Sequence, residues 1–122
     1  MIKLPQTEEQ LMEYIWEMQV AFTKDIIEKY PSPKPAQTTI ATLLKRLIDK
    51  EFIAYKVYGN SREYYPLIKK EDYFEKHINT MVENFFDNSA LSFASFFTRK
   101  SKMTKNELEE LKKIVDEQLK NS

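Results

Sequence analysis

A chain of 122 residues with 42% apolar and 13% aromatic side chains carries enough hydrophobic surface for one compact domain or two very small ones. Equal numbers of bases and acids, 19 of each, argue against a polyanion binder working through a net positive field, and the lack of cysteine excludes disulfides, thiolate metal sites and a cysteine nucleophile. No run of about 18 apolar residues predicts a membrane span, and the opening MIKLPQTEEQ, with neither a basic leader nor an apolar signal core, makes the cytoplasm the expected location.

TEEQLMEYIWEMQVAF carries a T-x-x-Q pattern at Thr7 to Gln10 and apolar residues at helical spacing (Leu11, Met12, Ile15, Trp16, Met18), which predicts a capped helix over about 7–20. TKDIIEKY predicts a short helix with Thr23 as its N-cap. Pro31 and Pro33 end it, because a proline disfavours the helical basin for the residue before it. Pro35 suits the first turn of a third helix over about 36–50, where its missing N–H costs nothing.

In that third helix Ile40, Leu43, Leu44, Leu47 and Ile48 fall in one arc, with Thr38, Thr42, Lys45, Arg46 and Asp49 opposite and Thr39 at the edge of the polar side. FIAYKVYGNSREYYPLI then reads as two strands, about 53–58 and 62–67, joined at Gly59-Asn60-Ser61, where the only glycine supplies the positive φ of a hairpin turn. Between Lys34 and Arg62 six bases face two acids, whereas Glu8 to Glu17 holds four acids and no base. A basic patch therefore exists inside a neutral protein.

From Lys70 onward the pattern is helical: KEDYFEKHINTMVENFFDN, the short apolar SALSFASFFTRK, and TKNELEELKKIVDEQL with a T-x-x-E capping box at Thr104 to Glu107. Three helices and a hairpin in residues 1–69 predict a winged helix-turn-helix DNA-binding domain, in which the third helix enters a groove and the hairpin touches the backbone beside it. Residues 70–122 predict a helical dimerisation domain. Five phenylalanines between Met81 and Phe97 are more apolar surface than about 50 residues shield alone, which points to a second copy of the chain burying Phe85, Phe86, Leu91, Phe93, Phe96, Phe97, Leu108, Leu111 and Val115. The fold class is mainly α with a small β-hairpin.

The candidate DNA contacts are Thr38, Thr39, Thr42, Lys45 and Arg46 on the third helix and Lys56, Asn60, Ser61 and Arg62 on the wing, with Lys56 and Arg62 gripping phosphate together. Threonine hydroxyls donate to phosphate or base acceptors and threonine methyls touch thymine. An ordinary solvated helix side and plain turn chemistry are the alternatives. The tyrosines Tyr55, Tyr58, Tyr64 and Tyr65 read as hairpin packing rather than base stacking. His77 is the single histidine and lacks the partners a metal site or general base needs, so neither an enzyme nor a metal or cofactor site is expected. The aromatic segment lacks the basic face of an interfacial helix, so no direct membrane binding is expected.

EEQLMEYIWE, TTIATLLKRLIDKEFI, YYPL and NELEELKKIV, in this order and spacing, resemble the BlaI/MecI/CopY family of bacterial winged-helix repressors over nearly the whole chain. The resemblance implies a homodimeric transcriptional repressor on a palindromic operator, with Thr38, Thr39, Thr42 and Arg46 on the reading helix. Ala41 stands where the family pattern has an arginine reader. In the penicillinase-repressor branch an asparagine–phenylalanine bond is cut through a membrane-bound sensor metalloprotease; the matching pair is Phe96-Phe97, without the asparagine. The cysteine motif of the copper-responsive branch is absent. The reading from a different class is a winged-helix protein-interaction module without sequence-specific DNA binding.

Overall fold

In the computed structural model, which describes residues 1–122, the periodic segments become α1 (Gln6–Met18), β1 (Ala21–Phe22), α2 (Thr23–Lys29), α3 (Gln37–Asp49), β2 (Ile53–Tyr58), β3 (Ser61–Pro66), α4 (Lys70–Phe85), α5 (Ala90–Lys100) and α6 (Lys105–Lys120). The chain divides into two compact units, Met1–His77 and Ile78–Ser122. The first turns of α4 thus belong to the first unit and its last turns to the second.

The core of the first unit is built from the stripes that the spacing marks. Leu11, Met12 and Ile15 of α1, Ile26 of α2, and Ile40, Leu44 and Leu47 of α3 are buried together with Phe52 and Ile53. Each such side chain contributes about 1.5–3 kcal/mol by leaving water. Tyr73 of α4 completes the core, with its ring centroid 5.6 Å from that of Trp16 and 5.7 Å from that of Phe52. Trp16 sits between core and surface, and its indole N–H donates to the Ile68 carbonyl at 2.8 Å.

The sheet has three antiparallel strands in the order β1-β3-β2. Ala21 and Phe22 pair with Tyr64 and Glu63, so the hairpin is anchored to the segment between α1 and α2. A helical trio followed by this sheet, with α2 and α3 in succession, is the winged helix-turn-helix arrangement.

Several local expectations are corrected. The T-x-x-Q pattern does not cap α1: the N-cap is Pro5, no side chain caps the helix, and the Glu9 N–H already bonds the Pro5 carbonyl at 2.9 Å. The chain entering α1 is fixed from a distance instead, because Leu4 is buried and its N–H donates to the Tyr73 hydroxyl at 2.8 Å. Thr23 is the first residue of α2 rather than its cap, since Phe22 is still extended in β1. Pro35 lies just outside α3, whose N-cap is Ala36. Helix α1 stops at Met18, where Gln19 takes φ 67° and its side-chain amide donates to the Trp16 carbonyl.

In the second unit Phe86 packs against Phe93 and Phe96, with ring centroids 5.4 Å apart in each pair. Ser89 caps α5, accepting from the Ser92 N–H at 3.0 Å. Nothing in α5 or α6 is buried, and Val82, at 8% exposure, is the one buried apolar residue of this unit.

The capping box of α6 forms as read. The Glu107 N–H donates to the Thr104 hydroxyl at 3.1 Å, and the Thr104 N–H donates to the Glu107 carboxylate at 3.0 Å. These backbone and side-chain hydrogen bonds to Thr104 hold the Glu107 carboxyl below its ordinary pKa of 4.5. A folded-state pKa below the unfolded one gives stabilisation that is complete above the unfolded value and lost as pH falls through the folded one. The Cα chemical shifts of residues 105–108 are therefore expected to lose helical character on acidification below about pH 4.5. In the Glu107→Gln variant they should show no such step; an identical step there would rule this cap out as its source.

Candidate nucleic-acid interface

Helix α3 is held by its buried side, Ile40, Leu43, Leu44 and Leu47, so its opposite side must face solvent. Thr38, Thr39, Thr42, Lys45 and Arg46 are all exposed. At i, i+4 spacing the exposed residues form two rows: Thr38, Thr42 and Arg46 point outward, while Gln37, Ala41 and Lys45 run along the edge nearer the wing. The Thr42 hydroxyl donates to the Thr38 carbonyl at 3.1 Å. Lys45 pairs with Asp49 at 3.3 Å, so this exposed lysine also offsets the one acid on the face. Arg46 makes no ion pair within the chain.

The wing turn has two residues, Gly59 and Asn60, because Ser61 already pairs with Tyr58. Of these two, Gly59 alone has positive φ (58°), the pattern of a type II′ turn. The resulting register places Arg62 opposite Val57, and Lys56 opposite Glu63. Successive residues of a strand point to opposite faces, so Arg62 and Lys56 lie on opposite faces of the hairpin. A joint grip on phosphate by these two is therefore corrected. Arg62 shares its face with Tyr55, over whose ring its guanidinium lies at 4.3 Å, and Lys56 lies 5.9 Å from the ring of Tyr65.

The Arg62 face is the one turned toward α3. A cleft between the helix and the wing is lined by Gln37, Ala41, Lys45, Tyr55, Arg62 and Tyr64. A second recess joins Gln37 and Arg62 to Asn60 and Ser61 at the wing tip and to Thr23 and Lys24 at the start of α2. The structure thus brings Asn60, Ser61 and Arg62 together with α3 and leaves Lys56 apart. Gln37, Thr23 and Lys24 enter the site without having been marked by the sequence, where they stand outside the threonine-rich face.

The four acids of α1 are each tied to a lysine: Glu8 to Lys50, Glu9 to Lys3, Glu13 to Lys70 and Glu17 to Lys29. Glu8 is itself buried, and Lys50 approaches it at 2.5 Å. Lys50 is therefore taken out of the basic patch as a free charge. Lys34 is likewise engaged, donating to the carbonyls of Glu28 (2.7 Å) and Tyr30 (2.6 Å) past the end of α2. What remains without an ion pair near α3 is Arg46 on the helix and Arg62 on the wing, with Lys24 in the recess that holds Arg62.

His77 rests edge-on against Tyr73, with centroids 4.4 Å apart, and its buried Nε2 has no hydrogen-bond partner. In the second unit Phe85 is 78% exposed and Leu91 82% exposed, and Phe96, Phe97, Leu108 and Val115 are exposed as well. Phe86, Phe93 and Leu111 are half-buried. The Phe96–Phe97 bond lies inside α5, and the Phe97 carbonyl accepts from both the N–H and the hydroxyl of Ser101. No helix of the protein is long and apolar enough to cross a membrane.

Comparison with known proteins adds three findings. The family model described as penicillinase repressor matches residues 4–117. The solution structure of the DNA binding domain of the repressor BlaI aligns with 60% of this chain and 94% of its own, at 31% identity and a TM-score of 0.49. The structure of the CopR repressor aligns with 56% of this chain and 100% of its own, at 28% identity and a TM-score of 0.47. No curated protein matches.

Proposed function

Because the chain belongs to the penicillinase repressor family, we propose that it is a cytoplasmic, DNA-binding transcriptional repressor acting as a homodimer on an inverted-repeat operator. One observation carries the DNA reading. An exposed, unpaired Arg46 in row with Thr38 and Thr42 stands on a helix toward whose adjoining edge the wing turns Arg62, in a molecule whose α1 acids are all paired with lysines. The N-terminal half of α3 enters the major groove, Arg46 contacts a base edge or a buried phosphate, and Arg62 with Asn60 and Ser61 steadies the wing on the backbone. The second unit supplies the dimer contact through its exposed apolar residues.

Selection of binding sites from random duplex DNA is expected to return an inverted repeat. Arg46→Ala should weaken binding to it by about 1–3 kcal/mol. Arg62→Ala should weaken all sequences alike and flatten the dependence of log affinity on log salt by about one unit, the signature of one lost phosphate contact. Wild-type affinity in the Arg46 variant would remove that residue from the interface. Affinity insensitive to salt would point to an apolar protein ligand instead of DNA.

Family membership alone supports derepression through a membrane-bound sensor metalloprotease. Cutting at Phe96–Phe97 requires α5 to unwind locally, because a protease takes its substrate extended and this bond is helical. Recovery of an intact chain after activation of the cognate sensor would dismiss this switch.

A further inference from the structure

Resting on the DNA reading above, we propose that Gln37 is a specificity-determining residue that reads an adenine of an A·T pair once in each half-site. The position is set by the fold: Gln37 is the first residue of α3, the end that the proposed docking leads into the groove, and it is exposed. Its side-chain amide makes no hydrogen bond within the chain. It borders both the helix–wing cleft and the recess at the wing tip, the only residue besides Arg62 and Tyr64 and Thr23 common to the two.

Chemistry separates this role from a phosphate contact. Phosphate offers only acceptors, and Arg62 and Lys24 at the same recess already supply cationic donors for it. A glutamine amide carries one donor edge and one acceptor edge, and the major-groove edge of adenine, with its N7 acceptor and N6 donor, matches both. One turn further along the same row stands Ala41, which neither competes for the amide nor fills the space beside it. The short residue thus leaves the wing-side edge of α3 with a single uncharged reader at its tip.

The test is binding-site selection on the full-length protein as wild type, Gln37→Ala and Gln37→Glu, followed by titration of the selected operator and its single-base-pair variants. Wild type should require an A·T pair at one position per half-site. Gln37→Ala should lose that preference, with affinity for the selected half-site falling about 5- to 150-fold while affinity for unrelated DNA is unchanged. Gln37→Glu should favour cytosine at the same position, since a carboxylate accepts from its N4 amine. The same selected sequence for all three proteins would overturn the role of Gln37 and leave the repressor reading standing. A wild type that enriches no sequence would overturn both.

Discussion

Replacing Tyr73 with alanine is expected to destabilise the first unit by about 3–5 kcal/mol, the range for truncating a large buried aromatic residue. The ring is 0% exposed and touches Trp16, Phe52, Phe74 and His77. Its hydroxyl accepts from the Leu4 N–H at 2.8 Å and donates to the Glu9 carboxylate at 2.6 Å. Burial works to raise the pKa of Glu9, yet hydrogen bonds from Lys3 and Tyr73 outweigh it and hold that carboxyl below its ordinary value. Tyr73→Phe keeps the packing and strands the Leu4 N–H, so a smaller loss of about 1–3 kcal/mol is expected. Urea unfolding followed by Trp16 fluorescence measures both, because the indole lies against the ring. A Tyr73→Ala midpoint near that of wild type would show that the core closes without this residue.

The same hydroxyl gives an alkaline signature. Burial, then the hydrogen bond to Glu9, pushes the Tyr73 phenol up to about 12 from its ordinary 10. With the folded pKa above the unfolded one, its contribution is complete below pH 10 and is lost as pH rises toward 12. Tyr73→Phe should remove that part of the alkaline decline, and only that part, since Tyr30 is pushed up to about 12 by burial in the same way.

Sequence alone reveals what depends on near neighbours. The stripe of Ile40, Leu43, Leu44 and Leu47 and the capping box of Thr104 and Glu107 are both set by spacing within one helix, and both form. The equivalent T-x-x-Q signature at Thr7 fails because Pro5 and the bond from Leu4 to Tyr73, 69 residues away, fix where α1 begins. Strand β1 has two residues, too few for any periodicity, and becomes a strand only through its pairing with Tyr64 and Glu63.

The wing shows how one residue decides a site. A three-residue turn would pair Tyr58 with Arg62 and put Lys56 and Arg62 on one face; the actual two-residue turn slips the register by one and separates them. The sequence pattern does not single out Gln37, because it flanks the threonine-rich arc, and only the approach of the wing shows that its edge of the helix borders a cleft.

The largest functional effect is expected from charging the bare face of the second unit. Phe85 and Leu91 are 78% and 82% exposed in the single chain, so Phe85→Asp with Leu91→Asp removes little intramolecular packing and should leave the unit helical. If these residues meet a second copy, the same changes bury unpaired carboxylates at its contact, a cost of several kcal/mol at each site. The wild-type protein should then sediment at twice 14.6 kDa at micromolar concentration and the double variant at 14.6 kDa. Affinity for a full inverted repeat should fall by about 10²–10⁴-fold, because a linked second half-site acts as an intramolecular ligand, while affinity for an isolated half-site should be unchanged. That contrast distinguishes lost assembly from a damaged reading head: equal losses on half-site and full site would mean that α3 had been disturbed. A double variant that still sediments as a dimer would place the contact between chains elsewhere on the molecule.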